Sequence, residues 1–383
     1  GSYQGTNNSN NGRTYGNTTT GGSTQYNGGG YGGLGGKHDT NGSVNTAYGD
    51  LMNPSEVGSG GGGTSNSDSH GGNGGGLVRV TAGTLTLDGS IVADGGGGSG
   101  SWGSGGSGGG IHINTGTISG SGTISAKGAG STSAGGGGGG RIAIYYADRV
   151  NFTGIVSASG KSGSSNGGAG TIYLKSSANM YGDLVVDNGG MDSREASTTL
   201  SAVGRGVITS LTADSLTNNS ASWRSGILKG LRFNPNTNQD KTFVIINNDA
   251  TTLYIDPAEG DLRQVSSIGD TYTGVYTLNQ MSIIGKARMF SSDRLVMNNE
   301  LIIDGSSLHT DNNDITADKI TVKNGGYINH LGATTTTTYK VVLNAATSLT
   351  IDSTSKIDVS GRGYLGSYQG TNNSNNGRTY GNT

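Results

Sequence analysis

Histidine is the first residue type to examine for chemistry, because imidazole is the commonest metal ligand and a ready proton carrier. The chain has five, at His38, His70, His112, His309 and His330. Their spacing matches no metal-ligand motif such as H-E-x-x-H, and His112 falls on an outward position of a predicted strand. We interpret all five as surface residues and predict no catalytic, cofactor-binding or metal-binding residue.

Aspartate recurs at the ends of predicted strands, at Asp88, Asp94, Asp187, Asp304, Asp352 and Asp358. Carboxylates in such positions could bind calcium or form an acid–base pair for sugar cleavage. They also cap tight turns with their own side chains, and we favour this role. The segment TDNNDIT, residues 310–316, clusters oxygen ligands without a complete calcium-loop pattern, so calcium is the one cofactor left open.

Charged residues make up only 13% of the chain and seldom cluster. A polysaccharide lyase or hydrolase needs convergent carboxylates, or a basic residue beside a metal, on one face. We therefore predict that the protein is not an enzyme, and we keep a polysaccharide-active β-helix enzyme as the second alternative. The first alternative is an adhesin or glycan-binding surface protein, because aromatic rings at Trp102, Tyr145, Tyr146 and Trp223 could stack on sugars.

The bulk composition excludes several partners. The net charge is −2, without the clustered Lys and Arg that bind nucleic acid. No run of 18 apolar residues is present, so we expect no membrane span. Cysteine is absent, which removes disulfides and thiolate catalysis. Because the chain has neither an initiator Met nor a signal peptide, we expect a mature or internal piece of a longer protein.

The two ends of the chain are the same sequence. Residues 1–18 and 366–383 both read GSYQGTNNSNNGRTYGNT, which gives a period of 365 residues. Such identity predicts a tandem array of near-identical units, in which 366–383 starts the next unit. The alternative is a duplicated tail, either artificial or docking into a neighbouring subunit.

A shorter repeat lies inside the long one. VRVTAGTLTLDGSIVADG at 78–95 aligns without a gap to IHINTGTISGSGTISAKG at 111–128, and looser copies start at 142, 172 and 341. Each copy holds three short segments of alternating apolar and polar residues, separated by Gly, Asp, Ser or Asn. This pattern predicts an all-β fold, a parallel β-helix (β-solenoid) with about three short strands per coil and long Gly-rich corner loops.

The changes in composition predict five regions. Residues 1–76 form a Gly/Asn/Ser/Thr-rich loop or layer packed on the solenoid, 77–205 form solenoid coils, and 206–274 form a β-rich module or irregular coils. Residues 275–365 return to solenoid coils, and 366–383 begin the next repeat. The Gly-rich runs could be an ordered layer or flexible linkers.

The segments LTLDGSIVADGGGG, GGGGGGRIAIYY and LTIDSTSKIDVSGRG resemble giant tandem-repeat, Gly-rich surface and adhesin-like proteins of prokaryotes. The stretch from SWRSGILKGLRFNPN (222–236) to GDTYTGVY (269–276) looks like a module found between solenoid stretches of such proteins. The resemblance implies a right-handed β-helix, an extracellular or cell-surface location and a structural or adhesive role. It implies no catalytic residue.

Repeats and resemblance together predict a structural subunit or repeat unit of an extracellular filament or stalk. Solenoids would continue end to end with the 365-residue period, because free strand edges invite pairing. We expect self-association or a covalent tandem array, with surface glycans as a further partner and no nucleic acid.

Overall fold

The computed structural model describes residues 10–38, 42–64, 69–149, 151–200, 202–311 and 313–379. The protein is mostly β, with 37% of residues in strands and 2% in helix. The predicted all-β class is therefore confirmed, and it follows from short alternating segments that are rich in β-branched residues.

The strands of the described residues fall between Leu77 and Ile357. They are β1 (Leu77–Thr86), β2 (Ser90–Val92), β3 (Gly110–Ser119), β4 (Thr123–Ser125), β5 (Arg141–Asp148), β6 (Ile155–Ser157), β7 (Thr171–Ser176), β8 (Asp183–Asp187), β9 (Thr198–Thr199), β10 (Arg205–Val207), β11 (Ser210–Leu211), β12 (Ser215–Thr217), β13 (Arg232–Asn234), β14 (Phe243–Asn248), β15 (Thr252–Ile255), β16 (Thr271–Leu278), β17 (Gln280–Ile284), β18 (Arg288–Ser291), β19 (Arg294–Asp304), β20 (Ser307–Thr310), β21 (Asp314–Lys323), β22 (Tyr327–His330), β23 (Val342–Ile351) and β24 (Lys356–Ile357). Two 3₁₀ turns, Pro257–Glu259 and Leu262–Gln264, are the helical segments of the described part.

The chain divides into two compact units. The first comprises Gly1–Ser201, Leu278–Phe290 and Asn299–Ser307. The second comprises Ala202–Thr277, Ser291–Asn298 and Leu308–Thr383.

Two parallel ladders build much of the first unit. β1, β3, β5 and β7 follow one another in one ladder, and β2, β4 and β6 form the other. Val80 faces Ile113 and Ile91 faces Ile124, so the gapless alignment of the short repeat matches the strand register. Alternation turns the Ile, Val and Leu side chains to one face, where they form a buried core.

The predicted right-handed parallel β-helix is wrong, because the larger sheets mix parallel and antiparallel strands. In the first unit β7 and β8 pair antiparallel. Only residues 177–182 connect them, and a connection this short returns the chain alongside itself, whereas a parallel pair needs a longer crossover. The copies at 78–95 and 111–128 also hold two strands each and not three, because β1 and β3 continue through Gly83 and Gly116 without a break.

The second unit is largely antiparallel. β13 pairs antiparallel with both β14 and β16, and β15 joins β14 to β12. Phe233 faces Phe243 across β13 and β14, and both rings are buried. The same unit also contains two parallel pairs, β21 with β23 and β22 with β24. The region 206–274 thus lacks the repeated parallel ladder because its strands are joined by short returns.

Gly-rich segments outside the strands pack together in the first unit. We call the segments 28–36, 58–63, 71–76, 103–109 and 135–140 the glycine layer. Within it the Gly29 amide donates to the Gly105 carbonyl (2.9 Å), and the Gly105 amide donates to Gly135 (3.0 Å). A Cβ atom on Gly137 would lie 1.9 Å from the Gly106 carbonyl oxygen. The backbones therefore approach more closely than any residue with a side chain permits.

Candidate functional site

Three of the five histidines, His38, His112 and His309, lie beside aromatic rings. His330 is buried, so the prediction of a surface position is wrong for this residue. His112 stacks at 5.5 Å from Tyr145, and burial together with nearby Arg79 lowers the pKa of this imidazole. His309 lies 6.1 Å from the ring of Tyr327. Within the described ranges, no group of three or more His, Cys, Asp or Glu side chains could hold a metal ion.

Five of the six strand-end aspartates accept hydrogen bonds from backbone amides, namely Asp88, Asp94, Asp187, Asp352 and Asp358. Asp88 accepts a hydrogen bond from the Ser121 amide (3.1 Å), and Asp94 accepts one from the Lys127 amide (2.6 Å). Asp352 accepts from the Asn324 amide (2.7 Å), and this bond contributes most to lowering the pKa of the Asp352 carboxyl. The carboxylates of Asp88, Asp94 and Asp352 tie one turn to the corresponding turn of a neighbouring strand, as turn-capping residues do.

Side-chain oxygens of the calcium candidate at 310–316 accept hydrogen bonds from other protein groups. Asn312 lies outside the described residues. The Asn313 side-chain oxygen accepts a hydrogen bond from the Thr273 hydroxyl (2.8 Å). The Asn313 side-chain nitrogen donates one to the Asp311 carboxylate (2.7 Å). The described residues beside Asn312 therefore direct these side-chain oxygens to hydrogen bonds within the second unit.

The candidate sugar-stacking aromatics differ in accessibility. The Tyr145 hydroxyl donates to the Met52 carbonyl (2.9 Å), and the Trp223 indole donates to the Val203 carbonyl (2.9 Å). Tyr146 packs against the hydrophobic core. Trp102 is 44% exposed, and its ring lies 5.5 Å from Tyr26. His38 lies at 5.8 Å from the same indole, so Trp102 belongs to a surface aromatic cluster that the spacing of the residues did not predict.

A buried arginine joins the strands to Gly-rich chain. Arg141, the first residue of β5, is fully buried. Its Nε atom donates to the Tyr48 carbonyl (2.8 Å), and one Nη atom donates to the Thr171 hydroxyl (3.2 Å). Its guanidinium also lies 5.6 Å from the ring centre of Tyr31, whose pKa is raised by burial. A charged residue between six glycines and the apolar run IAIYY was the available sequence signal for this contact.

A second buried charge, Asp293, lies in the second unit. Its two carboxylate oxygens accept hydrogen bonds from the Val203 amide (3.0 Å) and the Gly204 amide (2.6 Å). A Cβ atom on Gly274 would lie 2.3 Å from this carboxylate, so glycine is required beside it. Burial raises the pKa of Asp293 to about 7. The isolated Asp in SSDRLVM gave no indication of these partners.

The features best suited to binding another chain are two strand edges. Among the described strands, β1 pairs only with β3, and β23 pairs only with β21. The short strands β2 and β24 have likewise one neighbour each, β4 and β22. All four pairings are parallel. Each edge therefore presents a row of backbone amides and carbonyls to which a further parallel strand could bind.

Apolar side chains on these strands are only partly covered. Val92 at the end of β2 is 51% exposed, and Ile351 at the end of β23 is 41% exposed. Ile351 faces buried Val322 on one side through the β21–β23 register. A strand added beyond β23 would cover the remaining apolar surface, as β3 covers that of β1.

The two edges have similar apolar patterns. Along β1 and β2, and in the residue that directly follows β1, the core residues are Val78, Val80, Leu85, Leu87 and Ile91, at intervals of 2, 5, 2 and 4. Along β23 and β24, the residues opposite buried partners are Leu343, Ala345, Leu349, Ile351 and Ile357, at intervals of 2, 4, 2 and 6. Both edges therefore carry two apolar pairs with a spacing of two residues, followed by one apolar residue on the short strand.

No protein-family model, curated protein or solved structure matches the chain. The resemblance to surface proteins of prokaryotes therefore depends on the sequence motifs alone. No helix of the described residues is long and apolar enough to cross a membrane.

Proposed function

We propose that this chain is a non-catalytic structural subunit or repeat unit of an extracellular filament or stalk. Copies follow one another with the 365-residue period of the sequence. The observation that supports this function is the pair of one-sided parallel edges with similar apolar patterns. The likeness of the repeat motifs to prokaryotic surface proteins supports the extracellular or cell-surface location.

In this proposal β23 of one copy lies beside β1 of the next, and β24 lies beside β2. Leu343 then comes next to Val78, Leu349 next to Leu85, and Ile357 next to Ile91. The junction repeats the parallel pairing of strands within each copy. It removes two free edges at each junction, which an isolated copy leaves open to non-specific pairing.

The weak net charge is compatible with such packing. A net charge of −2 on 383 residues produces little long-range repulsion between copies. Apolar contacts and backbone hydrogen bonds at the junction therefore face no large electrostatic opposition. We expect the assembly to depend only weakly on salt concentration.

Electron microscopy combined with sedimentation of the purified chain tests this function. We expect unbranched fibres of uniform width whose amount rises with protein concentration. If the material behaves as 38.4 kDa monomers at every concentration and forms no fibres, the filament proposal fails.

Glycan binding is a second candidate function, favoured by the surface cluster of Trp102, Tyr26 and His38. Exposed aromatic rings stack on the apolar faces of sugars, and an exposed Trp costs little to desolvate on one side. The test is retention of the chain on immobilised polysaccharides. Trp102→Ala should abolish retention, whereas Tyr364→Ala, which removes another exposed aromatic ring, should preserve it. Equal retention of both variants contradicts this candidate.

A further inference from the structure

One sequence occupies two environments in this protein. Residues 375–379 have the same sequence as residues 10–14, and both stretches are described. Gly12 and Thr14 are buried, whereas Gly377 and Thr379 are exposed. The remaining positions of the two eighteen-residue segments cannot be compared, since residues 1–9 and 380–383 lie outside the described residues.

The N-terminal copy is built into the glycine layer through its backbone. The Gly60 amide donates to the Arg13 carbonyl (2.9 Å), and the Gly63 amide donates to the Asn10 carbonyl (2.9 Å). A Cβ atom on Gly12 would lie 2.1 Å from the Gly60 carbonyl oxygen. Residues 10–14 therefore complete one side of the layer along the segment 58–63.

A side-chain hydrogen bond fixes the register of this copy. The hydroxyl of Ser59 donates to the hydroxyl of Thr14 at 2.9 Å. Ser59 is 0% exposed, and Thr14 is 3% exposed. The hydrogen bond is therefore available only to a residue that is seated inside the layer at this position.

The described part of the C-terminal copy has different neighbours. The Arg378 amide donates to the Leu365 carbonyl (2.8 Å), and its guanidinium donates to the Thr335 carbonyl (3.2 Å). At Gly377 an added Cβ atom would have no neighbour nearer than 3.9 Å. Close packing therefore requires a glycine at the position of Gly12. At the position of Gly377 a residue with a side chain would fit as well.

We propose that residues 375–379 belong to the glycine layer of the following copy, where they occupy the position that residues 10–14 have in this one. This inference rests on the proposed end-to-end assembly. It adds a second contact between copies at each junction, beside the pairing of the strand edges. Because the two segments are identical, Thr379 can bind Ser59 of the next copy, and Gly377 can pack on Gly60 of the next copy, without any change of sequence.

We call the position of residues 10–14 along the segment 58–63 the seat. The seat is the same in a covalent array and in an assembly of separate subunits. In a continuous chain, residues 375–379 belong to the next unit's own first segment, so nothing competes with them. In separate subunits they exchange with the resident segment, and either segment forms the same hydrogen bonds in the seat because their sequences are identical. The resident copy has the higher effective concentration in a monomer. Exchange therefore requires that the strand edges first bring two copies together.

An engineered disulfide tests this seat, because the chain contains no cysteine that could interfere. The test variant carries Thr379→Cys with Ser59→Cys, and the control carries Thr14→Cys with Ser59→Cys. After oxidation of assembled protein, the test variant should give dimers and higher multimers on a non-reducing gel. The control should give monomers with an internal disulfide. Random collisions cannot produce the ladder, since Ser59 is fully buried.

Two outcomes overturn the inference in different ways. If fibres form but the test variant stays monomeric, residues 375–379 do not occupy the seat, while the end-to-end assembly stands. If neither fibres nor covalent multimers form, the proposed function fails as well. As a second measurement, Gly377→Ala should leave the monomer's melting temperature unchanged and raise the concentration needed for fibres at least tenfold. An unchanged concentration contradicts the inference.

Discussion

The Nε atom of Arg141 donates a hydrogen bond to the carbonyl oxygen of Tyr48, across 93 positions of sequence. This bond connects the chain between the layer segments 28–36 and 58–63 to the start of β5. It is made by a guanidinium that is completely removed from solvent. The hydrogen bond therefore matters to the stability of the first unit, since a charged donor in the interior is costly unless it is bonded.

Arg141→Ala should lower the free energy of unfolding of the full chain by about 3–5 kcal/mol, because it removes buried charge-assisted bonds and leaves a cavity. Arg263→Ala is the matched control. Arg263 forms an ion pair with Asp261 on the surface, and such pairs contribute little. Urea denaturation followed by tyrosine fluorescence measures both. Equal midpoints for the two variants would show that Arg141 does not anchor the layer.

Gly137→Ala tests whether the glycine layer requires close backbone packing. The added methyl group would lie 1.9 Å from the Gly106 carbonyl oxygen, so the segments must separate. We expect a loss of about 1–3 kcal/mol, the usual cost of overpacking. Gly332→Ala is the control, because no atom lies within 4 Å of its added Cβ. A melting temperature for Gly137→Ala equal to that of Gly332→Ala would mean that the layer is loose.

Asp293 should make the protein less stable as the pH rises from about 4 to about 7. Its pKa in the folded protein, about 7, exceeds the 3.8 of an ordinary aspartate, so the folded state binds more protons than the unfolded state in this window. Stability contributed by the protonated form is complete below pH 4 and is lost by pH 7, by at most about 4 kcal/mol. Asp293→Asn should flatten this dependence in thermal melts between pH 4 and 8. An unchanged slope would contradict the assignment.

The strand edges were partly predictable from sequence. The gapless alignment of 78–95 with 111–128 places Val78 beside Ile111, which is the register of β1 and β3. This pairing needs no long-range information, because the same short pattern is repeated. The copy of the short repeat that starts at residue 341 likewise shows the spacing of Leu343 and Ile357 in its sequence.

Other features depend on contacts that no local pattern encodes. The antiparallel return from β7 to β8 follows from a short connection within an apparently repetitive stretch. Gly83 is a residue type common in turns but lies within β1, because its neighbours Ala82 and Thr84 both pair with β3. Asp293 meets the Val203 and Gly204 amides only after about 90 residues of intervening chain have folded.

Ile351→Lys should prevent fibre formation while it leaves the monomer folded. The side chain is 41% exposed at the free side of β23, so lysine is tolerated in a monomer but places a charge inside the proposed junction. Ile268→Lys is the control, since Ile268 is a 66% exposed residue outside the strands. Sedimentation should show fibres for Ile268→Lys and monomers for Ile351→Lys. Fibres from both variants would exclude β23 from the junction.

A cryo-electron microscopy reconstruction of the native assembly tests the central claim most directly, because it locates the strand that lies beyond β23. We predict β1 of the next copy in parallel pairing at a spacing of about 4.8 Å, with Leu349 beside Leu85. An ordered assembly in which β1 and β23 both face solvent, or pair with other strands, would contradict the account.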